Sequence, residues 1–306
     1  MKNERIHRWT LILLMLTWLP ALQVRADGGY FSSRSVAVSA DQRAIIIKNG
    51  NEISMTFSTG YTGEGEDFGW IIPTPVPPAI KDVSEAGENG EAAFQILDRQ
   101  SAPVFSTYKS GCFPYGPEVL DTYIDQKWAF VAVKYNPSEK RHYENEFLPP
   151  LTIKYQSDRL IYPLRISSVS TAQTAKITLY VIAESTVTSS TLPTTTLRFD
   201  DNLAKGVDPE SCVEVCIQRT LRGSDGHGLV VIWSGEFAQS ADQRKIIDGL
   251  MKTPFPEDKK SYLTRLDTMM SPASMTEDIK LMLDSQPKYF QVQISAEAGY
   301  DCHVSN

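Results

Sequence analysis

From Ala44 to Lys48 the chain is an almost unbroken aliphatic run. It meets Asn49-Gly50-Asn51, and then Ile53, Met55 and Phe57 alternate with Ser54, Thr56 and Ser58. Apolar–polar alternation has the period of a half-buried strand, and Asn-Gly favours the tight turns that join two strands, so this stretch predicts a β-hairpin. A further strand is predicted at Phe68-Gly69-Trp70-Ile71-Ile72, closed by Pro73, Pro75, Pro77 and Pro78. Proline cannot donate to a ladder, and these residues mark a polyproline-like exit from the sheet. Trp128 to Tyr135, Leu151 to Tyr155, Leu160 to Ile166, Lys176 to Ile182 and Leu229 to Trp233 carry β-branched or aromatic residues on alternate positions and read as strands. The Ser/Thr-rich segment Thr186 to Thr196 reads as a polar edge loop, with a linker as the other reading.

Elsewhere the period changes. Ala93, Phe94, Ile96 and Leu97 recur at helical spacing behind Asn89, a candidate cap, and Glu91 in the first turn. A short helix is also expected over Pro117 to Asp125. Ser240-Ala241-Asp242-Gln243 fits the reciprocal capping box and predicts a helix to about Lys252. A second helix is predicted from Pro256, with Glu257 and Asp258 at its positive end and a buried stripe of Tyr262, Leu263, Leu266, Met269 and Met270. Met275 to Asp284 reads as a third, and Tyr289 to Ile294 as a closing strand. The expected fold class is α+β: an antiparallel β-rich body, sandwich or roll, over residues 27–236, followed by a C-terminal helical cluster with a closing strand over 237–306.

One internal echo joins the two parts. Ser39-Ala40-Asp41-Gln42-Arg43 before Ile45-Ile46 recurs as Ser240-Ala241-Asp242-Gln243-Arg244 before Ile246-Ile247. The first copy runs into a hairpin and the second into a helix, so the match reads as convergence on a capping or turn motif, not as a duplication. Asp41 and Arg43 are candidates for an ion pair.

The first twenty-six residues have a different pattern. Lys2, Arg5 and Arg8 precede an apolar run from Trp9 to Leu19, Pro20 interrupts it, and Val24-Arg25-Ala26 supplies small residues suited to cleavage. This reads as a secretory signal peptide, with the mature chain beginning near Asp27. A permanent anchor needs roughly 20 apolar residues. Trp9 to Leu22 is fourteen residues with a proline, and no second run of spanning length follows, so no membrane span is expected after cleavage. The expected location is periplasmic or secreted.

The remaining 280 residues can bury a sizeable core without a staple. The chain has 30 Lys and Arg against 37 Asp and Glu, a net charge of −7; the leader holds four of the bases and one of the acids, which leaves −10 after cleavage. An acidic surface repels phosphate backbones, and nucleic-acid binding is excluded on that ground.

Four cysteines, Cys112, Cys212, Cys216 and Cys302, follow the leader. In an oxidising compartment an even count favours two disulfides. Val213, Val215 and Ile217 alternate with Glu214 and Gln218, as on a strand. Four residues along a strand span about 13 Å, whereas bonded cysteines have Cα atoms within about 7 Å. On a strand, Cys212 and Cys216 would pair with Cys112 and Cys302; in a turn or helix they could pair with each other. A metal site lacks the second close pair that zinc spacing requires, and neither a metal nor a cofactor is assigned.

Chemistry has few candidates. His142 lies in the charged run Glu139-Lys140-Arg141-His142-Tyr143-Glu144 and reads as a solvated loop. His227 lies in Gly223-Ser224-Asp225-Gly226-His227-Gly228; a hairpin loop accounts for it better than a Ser-His-Asp hydrolase site, whose members usually come from separate elements. His303 reads as a tail residue. Metalloprotease, nucleophile-elbow, Walker, dinucleotide and Cys-x-x-Cys motifs are all absent. A carboxylate-only mechanism needs just two acids roughly 5 to 10 Å apart. Glu64, Glu66 and Asp67 near Trp70 are the acid cluster beside an aromatic, and read as solvated turn residues or a loose calcium site.

Ala40-Asp41-Gln42-Arg43, the segment Glu66-Asp67-Phe68-Gly69-Trp70-Ile71-Ile72-Pro73-Thr74-Pro75, Leu160-Ile161-Tyr162-Pro163-Leu164-Arg165, and Tyr262-Leu263-Thr264-Arg265-Leu266 with Met275-Thr276-Glu277-Asp278 together resemble a family of exported bacterial proteins known only as domain of unknown function 2330. The resemblance covers most of the chain after the leader. It implies an exported location and assigns no reaction and no catalytic residue. It also implies more mid-chain cysteines, where this chain has Cys112 alone, and a terminal membrane helix, which is not expected here. The functional expectation is a non-enzymatic binding or structural component of the cell envelope, its partner an envelope protein or polymer. The alternative is a carboxylate-dependent hydrolase of an envelope polymer or glycan.

Overall fold

The computed structural model of the chain describes residues 29–32, 41–64, 68–108, 118–120, 129–135, 142–164, 174–197, 215, 217, 219, 228–256 and 258–297. The strands are β1 (Gly29–Ser32), β2 (Gln42–Asn49), β3 (Glu52–Glu64), β4 (Phe68–Thr74), β5 (Val83–Glu85), β6 (Val104–Tyr108), β7 (Glu118–Leu120), β8 (Ala129–Tyr135), β9 (His142–Phe147) and β10 (Leu151–Gln156). They continue with β11 (Leu160–Tyr162), β12 (Ala175–Ala183), β13 (Val187–Ser189), β14 (Thr194–Thr196), β15 (Leu229–Glu236), β16 (Tyr262–Met270), β17 (Ile279–Leu283), β18 (Phe290–Gln291) and β19 (Gln293–Glu297). Among the elements described in full they are accompanied by the α-helices α1 (Gly87–Gln100) and α2 (Ala241–Gly249).

The aliphatic run of β2 is buried on both sides, and this sets the layers. Ala44 and Ile46 join a core with Phe57, Ile153, Leu179, Leu266 and Tyr162, whereas Ile45 and Ile47 face Phe94, Leu97 and Ile247 on the two helices. A strand covered on both faces reads as continuous hydrophobicity, because successive side chains point opposite ways. An eleven-stranded sheet therefore forms the middle layer, ordered β5-β10-β3-β2-β12-β16-β15-β14-β7, with β9 on β3 and β18 on β15. It is mixed: β2 pairs parallel with β12, and β14 with β15, the other pairings being antiparallel. Helices α1 and α2 cover one face; β11-β17-β13 and the inner residues of β4 cover the other.

The class is α+β and strand-rich, as the sequence predicts. The β2–β3 hairpin turns where expected, with Gly50 at φ +59°, which glycine adopts without steric cost. Helix α2 begins with the expected capping box, the Ser240 hydroxyl accepting from the Gln243 backbone N–H and Gln243 Oε1 accepting from the Ser240 N–H, but it ends at Gly249. Helix α1 starts at Gly87, two residues before the expected cap Asn89.

Among the described residues the expected C-terminal helical cluster is reduced to α2. The residues predicted as the second helix form β16, which lies between β12 and β15 near the middle of the sheet, and those of the third form β17. In β16 both faces are buried. Leu263, Arg265 and Asp267 face the helix side, Leu266 and Met270 the opposite core, and Thr264, Asp267 and Thr268 are buried although polar. Their burial makes an apolar count miss the period of two. Segment 186–196 is no plain loop: it holds β13 and β14, whose hydroxyls are bonded within it, as where the Ser189 N–H donates to Thr194 Oγ1 at 3.1 Å. Glu118–Leu120 is a strand paired with β14, not part of a helix. Strand β4 runs through Pro73, tolerated there because β1 pairs only as far as Ile71 and, among the described residues, β8 is the single neighbour. The closing strand is divided into β18 and β19.

Candidate functional site

Just beyond the end of α2, backbone carbonyls are met by side chains from distant strands. The Ser54 hydroxyl of β3 donates to the Leu250 carbonyl, Lys154 Nζ of β10 to that of Met251 at 3.0 Å, and Asn49 Nδ2 to that of Thr253 at 3.0 Å. Leu250 is the C-cap of α2, where a helix leaves carbonyls without intrahelical partners, and the Ser54 hydroxyl supplies one; the Met251 and Thr253 carbonyls follow it in the loop. These bonds fasten residues 250–253 beside the β2–β3 hairpin.

Opposite this wall lies the proline exit. Strand β5 pairs with only the first half of β10, from Leu151 to Ile153. Beyond it Val76, Pro77, Pro78, Ala79 and Asp82 bound a groove of about 240 Å³ whose other walls are Ile47, Ile53, Met251, Lys154, Tyr155 and Lys252. The lining is aliphatic, with charges of both signs at the rim: Lys252 Nζ lies 3.6 Å from Asp82 Oδ2, and Glu52 is nearby. Below the roughly 300 Å³ of an enclosing small-molecule pocket, such a trough suits an extended segment or one group of a larger ligand.

Tyr155 lines this groove and also belongs to the inter-sheet core. It is 7% exposed, and among the described residues its hydroxyl meets no hydrogen-bond partner. Burial pushes its pKa well above the usual phenol range, so at neutral pH the group is a protonated donor. A desolvated donor without an acceptor costs about 1–3 kcal/mol, and a ligand acceptor reaching it would offset that cost.

A second polar cluster lies on the α1 side of the sheet. Arg265 of β16 forks onto Asp267, Nε to Oδ1 at 3.1 Å and Nη2 to Oδ2 at 3.2 Å, while Nη1 reaches Asp98 of α1 at 3.4 Å. The Tyr180 hydroxyl donates to the same Asp98 carboxylate. Burial opposes the guanidinium charge, yet Asp267 and Tyr180 hold its pKa above the usual arginine range. Two turns earlier on α1, Glu91 receives both terminal nitrogens of Arg43, at 3.2 and 2.5 Å. The Arg43 guanidinium lies 4.3 Å from the Phe94 ring and 4.2 Å from that of Phe147. Residues seven apart share a helix face, so these arginines pin both ends of α1 to the sheet. Asp98 and Asp267 are carboxylates brought together in space, but both hold Arg265, which makes the cluster a fastening.

The candidates named from sequence are dispersed. The leader through Ala26, Cys112, Cys212, Cys216, Cys302, Glu66, Asp67, His227 and His303 lie outside the described residues. Val215, Ile217 and Arg219 are helical, where the alternation of the sequence predicts a strand. His142 opens β9 opposite Glu64 at the end of β3, so its backbone is strand and not loop; among the described residues β9 pairs with β3 alone, and charged residues suit such edges. Trp70 is a core residue, 0% exposed, its ring edge-on to Phe57 at 5.3 Å. Arg43 takes Glu91 instead of Asp41, whose Oδ1 accepts from the Lys176 N–H. Sequence reasoning missed Tyr155 and the groove, because its walls come from five separate stretches of chain. The one local sign was the proline run beside them.

A strand-rich α+β fold with a small apolar groove defines a class of protein, not a reaction. The chain belongs to the family described as an uncharacterized protein conserved in bacteria, DUF2330, whose model matches residues 115–282. No curated protein matches it. Among solved structures, the crystal structure of baculovirus P35 is similar at 10% identity and a TM-score of 0.36, over 81% of this chain and 97% of that one. Among the described residues no helix is long and apolar enough to cross a membrane.

Proposed function

We propose that the protein is an exported, non-enzymatic binding component of the bacterial cell envelope, and that it holds an extended segment of an envelope protein or polymer in the groove between residues 76–79 and 250–253. The observation that carries this reading is an aliphatic groove lined by Tyr155, a residue whose buried hydroxyl has no acceptor among the described residues. Export is supported by the leader pattern of Met1 to Ala26, and an acidic chain disfavours nucleic acid as the partner. The groove is fastened by side chains on rigid strands, as a site held ready for its ligand should be.

The test is photo-crosslinking in the intact envelope from an unnatural residue at position 77, in the wild-type chain and in Tyr155→Phe. A discrete adduct that weakens at least fivefold in Tyr155→Phe is expected. The variant itself should fold at least as stably as the wild type, because the phenol loses no partner. If position 77 gives no adduct, or one that Tyr155→Phe leaves unchanged, the groove is not the binding site. Retention of the chain in the cytoplasm would remove the envelope reading altogether.

A further inference from the structure

Strand β10 pairs with β3 along its whole length, from Leu151 to Gln156, but β5 covers its other side only from Leu151 to Ile153. In an antiparallel ladder, successive residues turn their backbone groups to opposite neighbours. Two bonds set the phase: the Ala86 N–H donates to the Pro150 carbonyl on the β5 side, and the Ser157 N–H to the Asn51 carbonyl on the β3 side, both at 2.8 Å. Even-numbered residues of β10 therefore face β5, and Lys154 and Gln156 continue that row past its end. The chain before β5 does not follow them. It coils into the single turn Ile80–Asp82, where the Asp82 N–H donates to the Ala79 carbonyl at 2.8 Å. The Lys154 carbonyl and both backbone groups of Gln156 thus face the groove between β10 and residues 76–82, with no strand opposite them among the described residues.

We infer that the occupant of this groove is a peptide segment of another protein, added as a short strand to the open half of β10 in line with β5. The inference rests on the binding reading above and narrows its ligand from protein or polymer to protein. Unpaired N–H and C=O groups at a sheet edge are a template for a further strand, and a peptide supplies donors and acceptors at the matching repeat, which a glycan does not. The lining fits the side chains of such a strand. Ile47 and Met251 belong to the core on the helix side of the sheet, whereas Ile53 and Tyr155 belong to the core on the other side, with Val76 packed against it, so the groove straddles the sheet edge. Side chains of an added strand point alternately to the two faces, and each face offers them an apolar wall. Charge narrows the sequence. Lys252 is paired with Asp82 and Lys154 is bonded to the Met251 carbonyl, which leaves Glu52, the cross-strand neighbour of Gln156, to receive a basic residue of the segment.

The experiment is the crosslink from position 77 in the intact envelope, made in Gln156→Pro and Gln156→Ala beside the wild type. Proline deletes the N–H on the open side of β10 and leaves the ladder with β3 in place, whereas alanine keeps that N–H. A protease-sensitive adduct is expected, kept within threefold in Gln156→Ala and weakened at least tenfold in Gln156→Pro, with thermal unfolding showing that both variants fold. A synthetic peptide of the crosslinked segment should bind the whole chain in solution, and N-methylation of its amides should weaken binding most at alternate residues. A protein adduct that responds equally to the two variants, or methylation effects without alternation, overturns the added strand while the groove remains a binding site. An adduct that resists protease and is released by a glycan-cleaving enzyme overturns it as well and leaves the polymer reading standing. An adduct with a second copy of this chain would overturn the assignment to another protein. No adduct from the wild type overturns both this inference and the reading on which it rests.

Discussion

Replacing Asp267 by alanine tests whether the cluster on β16 fastens the fold. Asp267 is 1% exposed and its two oxygens receive Nε and Nη2 of Arg265, whose side chain is 13% exposed. Removing one member of a buried pair strands the other charge and costs ~3–5 kcal/mol. Here Asp98 stays behind as a wetter partner at 3.4 Å, its side chain 54% exposed, so the lower end of that range, about 3 kcal/mol, applies. In a chain of this size each kcal/mol moves Tm by ~2–4 °C, giving a fall of about 6–12 °C. The double variant Arg265→Met with Asp267→Leu removes both charges and keeps the volume, and should return to within about 1 kcal/mol of wild type. Urea unfolding of wild type, Arg265→Met, Asp267→Leu and the double variant gives the coupling energy, expected to be at least ~2 kcal/mol. A single-variant cost below about 1 kcal/mol, or single effects that simply add, would refute the fastening role.

Gly90 lies within α1, where alanine ordinarily gains about 1 kcal/mol over glycine; here a Cβ would stand 2.6 Å from that of Ala86 and 2.8 Å from that of Pro150, so Gly90→Ala should lower stability by ~1–3 kcal/mol, and a raised Tm would contradict the packing. Ser240→Ala removes the cap of α2 and should cost about 1 kcal/mol by urea midpoint, against no measurable change for Ser285→Ala on the exposed loop after β17. Burial raises the pKa of Tyr155, Tyr162 and Tyr180, so the folded state favours neutral phenols. That stability is fully present below the unfolded tyrosine pKa of about 10 and is lost above it, by up to ~1.4 kcal/mol per pH unit for each phenol. Unfolding free energies followed through alkaline pH should fall from that point, and a flat profile would count against the burial.

How much of the fold was legible depended on whether a strand had one buried face or two. The hairpin at β2 and β3 could be read because Asn49-Gly50 supplies its turn and β3 alternates, and α2 because its capping box is local chemistry. Strand β16 could not, because Thr264, Asp267 and Thr268 are enclosed by pairing partners contributed from residues 175–183 and 229–236. Stripped of those polar positions, Leu263, Leu266 and Met270 show spacings of three and four, which imitate a helix. The better signal was the β-forming content of Tyr262, Thr264 and Thr268, which propensity favours over a helix.

The echoed Ser-Ala-Asp-Gln-Arg segments show why the site was less legible still. In the second copy Gln243 closes a cap three residues away, and Arg244 reaches the Phe255 carbonyl eleven residues on. In the first, Gln42 Nε2 donates to the Leu164 carbonyl and its Oε1 accepts from the Tyr162 hydroxyl, more than a hundred residues along the chain, while Arg43 crosses to Glu91. The same residues thus serve a local cap in one place and bind layers together in the other, and only the second use requires a partner that sequence spacing cannot name. Tyr155 is the same case taken further. Its strand position and burial follow from alternation on β10, yet whether its hydroxyl has an acceptor depends on every element around it: among the described residues the Tyr155 hydroxyl meets none, whereas that of Tyr162, in the same core, donates to Gln42 Oε1.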